Sequence, residues 1–190
     1  MDGIIFRLKI LFYALIFIAV TLSSKILLNL PENLDEESIK TQKFIVPTFL
    51  VDAHRQYIWS FSIKKILEKP LLGYGPDTSN FIEGSQDIIG SKYTGTMPYI
   101  PSHPHNFLIE ITLDTGIIGL VGFLIFIFYY NFQIFRKSDE NGKFLLILFF
   151  SYFWGSSLVN FSFWLGWWQV SYFFITSLIR SINLTKNQKT

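Results

Sequence analysis

The sequence predicts an all-α integral membrane protein with about four transmembrane helices and one large outside loop that contains an amphipathic helix. Half of the 190 residues are hydrophobic, 18% are aromatic and the mean hydropathy is +0.36, which is too apolar for an ordinary soluble domain. Several uncharged runs approach the roughly 20 residues that a helix needs to cross a hydrocarbon core of about 30 Å. Basic residues collect at the ends of these runs.

The first predicted transmembrane helix occupies residues 1–30, with its N-terminus in the cytoplasm. Residues 10–24 are uncharged, Lys25 lies close enough to the end of the run to reach the interface, and Arg7 and Lys9 precede it. A secretory signal peptide would share the charged start and the apolar core. A clean Ala-x-Ala cleavage site is absent and further apolar runs follow, so an uncleaved helix is the favoured interpretation.

The other apolar runs lie in the C-terminal half. Residues 105–135 are predicted to enter and cross the membrane as one helix, and residues 136–143 to form a short cytoplasmic loop. Residues 144–180 are too long for a single crossing, and we divide them near 160–166 into two transmembrane helices. Residues 181–190 are then a cytoplasmic tail.

Three groups of basic residues lie on one side of the membrane if all of these helices cross it. The positive-inside rule makes that side cytoplasmic. Residues 31–104 then form the outside loop, which in a bacterium faces the periplasm. The groups are Arg7 and Lys9; Arg136, Lys137 and Lys143; and Arg180, Lys186 and Lys189.

The outside loop divides into parts of different composition. Residues 31–47 are acidic and are interpreted as a solvated connector. A glycine-containing turn is predicted at 71–77, because glycine allows positive φ and close backbone approach. Residues 82–101 are polar and contain glycine, so we expect a flexible flap there.

An amphipathic helix is predicted between the connector and the turn, at residues 52–68. Pro70 ends it, because the proline ring cannot continue a helix. We expect this helix to lie on the membrane or against the bundle, with its cations near the lipid headgroups. Its apolar face comprises Trp59, Ile63, Ile66 and Leu67, spaced by three and four residues.

Composition and motifs exclude several classes of function. The 16 basic and 14 acidic residues nearly cancel, and the net charge of +2 is dispersed, so nucleic acid is not an expected partner. The chain has no cysteine, and the outside loop lacks His-Glu-x-x-His, Asp-x-Asp and Gly-x-Ser-x-Gly patterns. We therefore expect no metal, no other cofactor and no serine hydrolysis. A transporter is disfavoured because no span carries a charge at mid-membrane.

Candidate chemistry lies where the loop re-enters the membrane, in the sequence Ser-His-Pro-His-Asn. Ser102 is predicted to cap the helix and Pro104 to lie in its first turn. His105 would stand roughly 16 Å outside Gly116, where an imidazole at a helix N-terminus suits phosphate binding or base catalysis. The alternative is that His105 only marks the interface. His103 precedes proline and is interpreted as structural.

Three glycines follow this segment. Gly116, Gly119 and Gly122 recur every third residue and predict a strip of small side chains against which another helix packs. Glu110 and Asp114 precede the strip, so we expect them at the membrane interface rather than in lipid.

Several of these residues, taken in order, resemble the last large periplasmic loop of the O-antigen ligase/polymerase superfamily. The spacing of His-Asn, nine residues and then Gly-x-x-Gly is the most specific part of the resemblance. The resemblance covers approximately residues 52–135. The matching residues are Arg55 and Trp59, the run Lys69-Pro70-Leu71-Leu72-Gly73-Tyr74-Gly75, and His105-Asn106 with Gly116 and Gly119.

The resemblance implies a polytopic enzyme of the bacterial inner membrane, a metal-independent inverting glycosyltransferase. Its implied partners are an undecaprenyl-diphosphate-linked glycan, lipid A core or another glycan acceptor, and the lipid bilayer. Catalytic roles are implied for Arg55, which would hold the diphosphate, and for His105, which would act on the acceptor or share the phosphate. Arg55, Lys64, Lys65 and Asn106 are the implied substrate-binding residues.

Length is where the chain departs from that family. Members have many more spans and another functional arginine in an earlier periplasmic loop, so the resemblance predicts a partial bundle of a larger polytopic fold. Polymerisation of O-antigen or exopolysaccharide and transfer to protein use similar loops, and His105-Asn106 slightly favours ligation. A non-catalytic subunit that binds lipid-linked glycan is the alternative from another class.

Overall fold

The computed structural model describes residues 47–49, 51–91 and 95–187. Over these residues the chain is mostly helical, with a short 3-10 helix at Ser79–Phe81 and a small hairpin, which confirms the helical part of the predicted fold class. The predicted first transmembrane helix and most of the connector, residues 1–46, lie outside the described residues. The helices are α1 (Ala53–Glu68), α2 (Phe107–Lys137), α3 (Glu140–Ser157) and α4 (Gly166–Asn187), and the strands are β1 (Ile88–Ser91) and β2 (Gly95–Pro98).

Helix α1 forms where the sequence predicts it but buries a different set of residues. Asp52 caps its first turn by accepting a hydrogen bond from Arg55 N at 3.0 Å. Trp59 is buried, whereas Leu67, at the end of the predicted apolar face, is 63% exposed. Burial is concentrated in the N-terminal half because α2 packs on one side of it and the hairpin on another. The buried residues are Gln56, Tyr57, Ile58, Trp59, Ser60 and Ser62.

Within residues 82–101, where a flexible flap was predicted, residues 88–91 and 95–98 pair as two strands, here called the hairpin. The strands are antiparallel, with Ile88 opposite Pro98. His54 Nε2 donates to Pro98 O at 3.0 Å and so ties the hairpin to α1, and Ile100 after β2 is fully buried. The prediction relied on the polar composition of this segment. The segment is ordered by backbone hydrogen bonds between its strands and by the buried side chain of Ile100, and neither requires a repeating apolar pattern.

Helix α2 begins after Asn106 and runs for 31 residues. Asn106, rather than Ser102, caps it, because Asn106 Oδ1 accepts from Leu108 N at 3.0 Å and from Ile109 N at 3.1 Å. The helix is interrupted at Gly116, where φ is +67° and ψ is −175°. Among the described residues, α2 is the one helix long and apolar enough to cross a membrane, so the number of crossings and the orientation stay predictions.

A non-helical connection at 158–165 divides the last apolar run into α3 and α4, close to the predicted break. The two helices pack against each other and against α2 mainly through aromatic rings. Trp168 stacks on Phe153 with ring centroids 4.2 Å apart, and Trp168 Nε1 donates to Ser157 Oγ at 2.9 Å. The buried members of this cluster are Phe107, Ile111, Ile127, Phe153, Trp154, Trp168 and Tyr172. This packing brings the α3–α4 connection beside the start of α2.

Candidate functional site

The glycine turn, residues 70–77, docks on α2 at the interruption of that helix. Backbone N–H groups of the turn donate to the last carbonyls before the interruption, and N–H groups after it donate to carbonyls of the turn. The turn therefore supplies the hydrogen bonds that the interrupted helix lacks. The bonds are Tyr74 N to Leu113 O (3.0 Å), Gly75 N to Asp114 O (2.7 Å), Ile117 N to Pro70 O (2.9 Å) and Ile118 N to Leu71 O (3.4 Å).

Two glycines make this approach possible. Gly73 and Gly116 have φ of +66° and +67°, a region that other residues adopt at a cost. A Cβ on Gly73 would lie 2.5 Å from Asp114 C, and a Cβ on Gly116 would collide with the Leu71 carbonyl. A Cβ on Gly122 would meet nothing within 4 Å. The three glycines therefore do not form one strip for another helix, because the space at Gly116 receives the turn.

Glu110 holds the α3–α4 connection against the start of α2. Its side chain is fully buried, Oε1 accepts from Ser162 Oγ at 2.5 Å and Oε2 accepts from Phe163 N at 2.6 Å. Ser162 Oγ in turn accepts from Trp164 N at 3.1 Å. The sequence placed Glu110 at the interface, whereas the packing of the connection encloses it and satisfies both oxygens.

Asp114 joins three segments that are distant in the sequence. It lies one helical turn beyond Glu110, is also fully buried, and its Oδ2 accepts from Asp77 N at 3.0 Å and from Trp164 Nε1 at 2.7 Å. The glycine turn, α2 and the α3–α4 connection are therefore held at one carboxylate.

His103 and His105 both donate to the carbonyl of Asn160 in the α3–α4 connection. The distances are 3.1 Å from His103 Nε2 and 2.9 Å from His105 Nδ1, and a carbonyl oxygen only accepts, so both nitrogens carry hydrogen. His103 Nδ1 is then an acceptor, 2.9 Å from Ser102 Oγ. His105 keeps Nε2, an acceptor in the neutral ring, for another partner.

The backbone and surroundings of His105 are specialised. Its φ of +56° is uncommon for a residue with a side chain, and its ring centroid is 4.1 Å from that of His103. Burial is the largest cause that lowers the pKa of His105 below its ordinary value, and the hydrogen bond to Asn160 acts in the opposite direction. Among smaller effects, His103 and then Arg55 lower the pKa, and Asp52 raises it. A neutral imidazole with a free Nε2 has the properties of a general base.

Arg55 lies in the first turn of α1, and its positive charge makes a small contribution that lowers the pKa of His105. Its Nε is 3.3 Å from Asp52 Oδ2, and the Arg55 side chain is 30% exposed, so the guanidinium keeps access to solvent. Trp59 Nε1 donates to Pro104 O at 2.9 Å and fixes α1 against the histidine segment. Arg55 and His105, for which the resemblance implied catalytic roles, therefore lie on two segments that contact each other through Trp59 and Pro104.

The other implied substrate-binding residues have different surroundings. Lys64 lies nine residues beyond Arg55 on α1, roughly 13 Å along the helix axis, so the structure does not bring it to His105. Lys65 Nζ is 3.1 Å from Glu68 Oε2. Asn106 is 6% exposed, and its Oδ1 is occupied in capping α2.

Sequence reasoning missed Asn160, Glu110 and the role of His103. Asn160 acts through its backbone carbonyl, which every residue type has, so the sequence does not mark this position. The spacing of Glu110 and Asp114, one turn apart on a predicted helix, was the available signal for an inward-facing pair. Within the described residues, no group of three or more His, Cys, Asp or Glu side chains is arranged to hold a metal ion.

Comparison with known proteins places these residues in context. The model of the O-antigen ligase family matches residues 3–124, a segment that contains both Arg55 and His105. A Rickettsia conorii protein named "Putative polysaccharide ligase" is 34% identical over 152 residues, covering 79% of this chain and 35% of that protein. A Rickettsia prowazekii protein with the same descriptive name is 30% identical over 187 residues, covering 94% and 44% respectively.

The chain spans 35% to 44% of the length of these relatives. No solved structure matches it. Because the family model matches more than half of the 190 residues, the chain belongs to the O-antigen ligase family.

Proposed function

We propose that this chain carries the acceptor-side part of a membrane glycosyltransferase of the O-antigen ligase type. It transfers a glycan from an undecaprenyl diphosphate carrier to a hydroxyl of lipid A core or another acceptor at the periplasmic face. One observation supports this most directly: the Asn160 carbonyl holds His105 with Nδ1 protonated and Nε2 available, on a segment that contacts the helix of Arg55.

The proposed reaction uses His105 as the base. Nε2 accepts the proton of the acceptor hydroxyl while the hydroxyl oxygen forms a bond to the anomeric carbon of the donor glycan. The bond from that carbon to the diphosphate oxygen breaks, and its electron pair leaves with the diphosphate. Attack from the face opposite the leaving group inverts the anomeric centre. The proton on His105 then passes to solvent or to the released diphosphate.

Arg55 and Asn160 have complementary roles in this scheme. Arg55 pairs with the diphosphate, whose negative charge grows as the glycosidic bond breaks. Before the donor binds, the charge of Arg55 favours the neutral, basic form of His105. The Asn160 carbonyl then stabilises the imidazolium that forms, because it accepts the Nδ1 hydrogen bond in both protonation states.

The test joins the chain to the preceding spans of a longer relative, expresses the fusion in a strain that lacks its own O-antigen ligase, and scores glycan attached to lipid A core. We expect transfer, with large losses in His105→Gln and in Arg55→Lys. Arg55→Lys is informative because lysine keeps the charge but loses bidentate geometry. Arg136→Ala is the matched control, since Arg136 lies at the opposite end of α2. Wild-type transfer by both site variants would refute the assignment.

Two other outcomes of this test would favour the alternative functions. Elongated glycan on the carrier, without attachment to lipid A core, favours a polymerase. Retention of radiolabelled polyprenyl diphosphate glycan by the purified chain, with no transfer in the strain, favours a non-catalytic binding subunit.

A further inference from the structure

Exposed leucines and lysines surround the junction between α1 and the glycine turn. Leu67, Leu71 and Leu72 are 63%, 60% and 74% exposed. Lys64 and Lys69 lie beside them in the chain and are also exposed. We name these five residues the Leu-Lys collar. An apolar patch rimmed by cations is typical of an interaction surface, and none of its members belongs to the proposed catalytic site.

Hydrogen bonds fix the level of the collar along α2. Pro70 O accepts from Ile117 N at 2.9 Å, and Leu71 O accepts from Ile118 N at 3.4 Å. The residues from Gly116 to Phe135 are uncharged, and about 20 helical residues span the roughly 30 Å of a hydrocarbon core. The collar therefore lies level with the outer end of the membrane-crossing length of α2.

The apolar surface of the collar continues onto α2. Ile117 and Ile118 are 43% and 58% exposed and begin the outward-facing apolar side of the helix. The backbone hydrogen bonds between the glycine turn and α2 thus place the leucines of the collar next to these isoleucines. A surface that is apolar at this level matches the boundary between acyl chains and headgroups.

The charges of the collar are complementary to anionic headgroups. Residues 64–69 contain three lysines and one glutamate, and that glutamate, Glu68, accepts hydrogen bonds from Lys65 Nζ at 3.1 Å and Tyr74 OH at 2.9 Å. Lys69 Nζ lies 4.4 Å from the centroid of the Tyr74 ring and keeps its exposure. A long lysine side chain covers apolar surface with its methylenes and presents its ammonium to phosphate.

We propose that the Leu-Lys collar is a membrane-docking surface whose partner is the headgroup layer of an anionic phospholipid bilayer. Leu67, Leu71 and Leu72 enter the acyl boundary, and Lys64 and Lys69 contact lipid phosphates. Since the glycine turn is bonded to α2 on both sides of Gly116, this contact sets the height of the His105 segment above the bilayer. Docking is independent of glycan transfer and goes beyond it.

The absence of cysteine from the chain makes a direct test simple. Leu72→Cys, labelled with an environment-sensitive fluorophore, is reconstituted into phosphatidylcholine vesicles with and without phosphatidylglycerol. Asp87→Cys is the matched control, since Asp87 is exposed in the same loop but outside the collar. We expect a blue-shifted label at position 72 that shallow spin-labelled lipids quench, and a label at position 87 that aqueous iodide quenches.

A charge variant tests the role of the lysines. Adding Lys64→Glu and Lys69→Glu to the Leu72→Cys chain should reduce lipid quenching several-fold in anionic vesicles and much less in pure phosphatidylcholine. Equal reduction in both would refute the anionic-headgroup assignment. Loss of quenching on addition of inorganic phosphate would instead identify a site for a free phosphate.

Two further outcomes would overturn the proposal. Quenching of the position 72 label by iodide, as at position 87, would show that the collar faces water. A blue-shifted label that neither lipid nor iodide quenches would show that protein covers the collar. Neither readout uses transfer activity, so a failure of docking and a failure of the proposed enzymatic function are distinguishable.

Discussion

The hydrogen bonds that His103 and His105 donate to the Asn160 carbonyl determine which ring nitrogen of each histidine can still accept a proton. His103 engages both ring nitrogens, whereas His105 engages only Nδ1. The left-handed backbone of His105 costs about 1–3 kcal/mol, so the contact with Asn160 and the cap at Asn106 have to hold it in place. At the residue scale, the site therefore depends on the connection that carries Asn160.

Transfer should remain active below the ordinary histidine pKa of 6.5, because burial, with smaller contributions from His103 and Arg55, lowers the pKa of His105. The base must be neutral, so kcat/KM falls only as the pH drops through the lowered pKa. Arg55→Ala removes a nearby positive charge, which raises that pKa and moves the acidic limb of the pH profile to higher pH. Arg136→Ala should leave the limb in place. An acidic limb that does not move in Arg55→Ala would contradict the pairing.

Glu110→Ala should lower the free energy of unfolding by about 1–3 kcal/mol for each buried donor left without an acceptor. Those donors are Ser162 Oγ and Phe163 N. Glu110→Gln should cost less, because the amide keeps one acceptor oxygen. Thermal unfolding in detergent measures the difference, with exposed Glu83→Gln as the control. Equal stability of Glu110→Ala and wild type would mean that the connection does not depend on this carboxyl group.

At the scale of elements, three segments far apart in the sequence meet at the start of α2. The glycine turn and the α3–α4 connection contribute backbone groups, and the histidine segment contributes imidazole nitrogens, rather than a large apolar face. Such backbone contacts require two chain segments to approach closely, which explains why the turn has Gly73 and the interrupted helix has Gly116 at their contact.

Gly116→Ala is expected to prevent docking of the glycine turn, because the added Cβ collides with the Leu71 carbonyl and the φ of +67° disfavours alanine. We expect destabilisation above about 2 kcal/mol. Gly122→Ala is the matched control in the same helix, since its Cβ meets nothing within 4 Å and alanine favours helix by about 1 kcal/mol. Protease cleavage of the turn, together with thermal unfolding, compares the two. Equal resistance would argue against the interlocked turn.

At the scale of the whole molecule, the outward surface of the bundle is strongly apolar. Ile125, Phe128, Phe144 and Phe174 are 65%, 70%, 63% and 62% exposed. Such residues on three helices fit lipid or other membrane helices, and water would be unfavourable for them. Only α2 among the described helices has the length and composition for a crossing, so topology needs its own experiment.

Single cysteines at positions 87 and 143 should react from opposite sides of the membrane. Asp87→Cys lies before α2 and Lys143→Cys after it, so a crossing by α2 separates them. We expect a membrane-impermeant maleimide to label position 87 in intact spheroplasts and position 143 only in inverted vesicles. Labelling of both from one side would exclude the crossing, and the reverse pattern would invert the predicted orientation.

Local pattern was sufficient for several features of this protein. The apolar runs determine the helical class, Pro70 and the i, i+3, i+4 spacing place α1, and the His105-Asn106 to Gly119 spacing identifies the family. Each of these depends on residues close together in the chain, where periodicity and steric rules apply directly.

Tertiary structure alone decided which groups surround His105. The Asn160 carbonyl is 55 residues away, and every residue type carries such a carbonyl, so no sequence pattern marks it. Glu110 and Asp114 are buried because the α3–α4 connection packs over them. The space beside Gly116 is filled by the glycine turn and not by another helix. Backbone contacts between distant segments depend on the path of the chain, which is set by packing and not by local residue type.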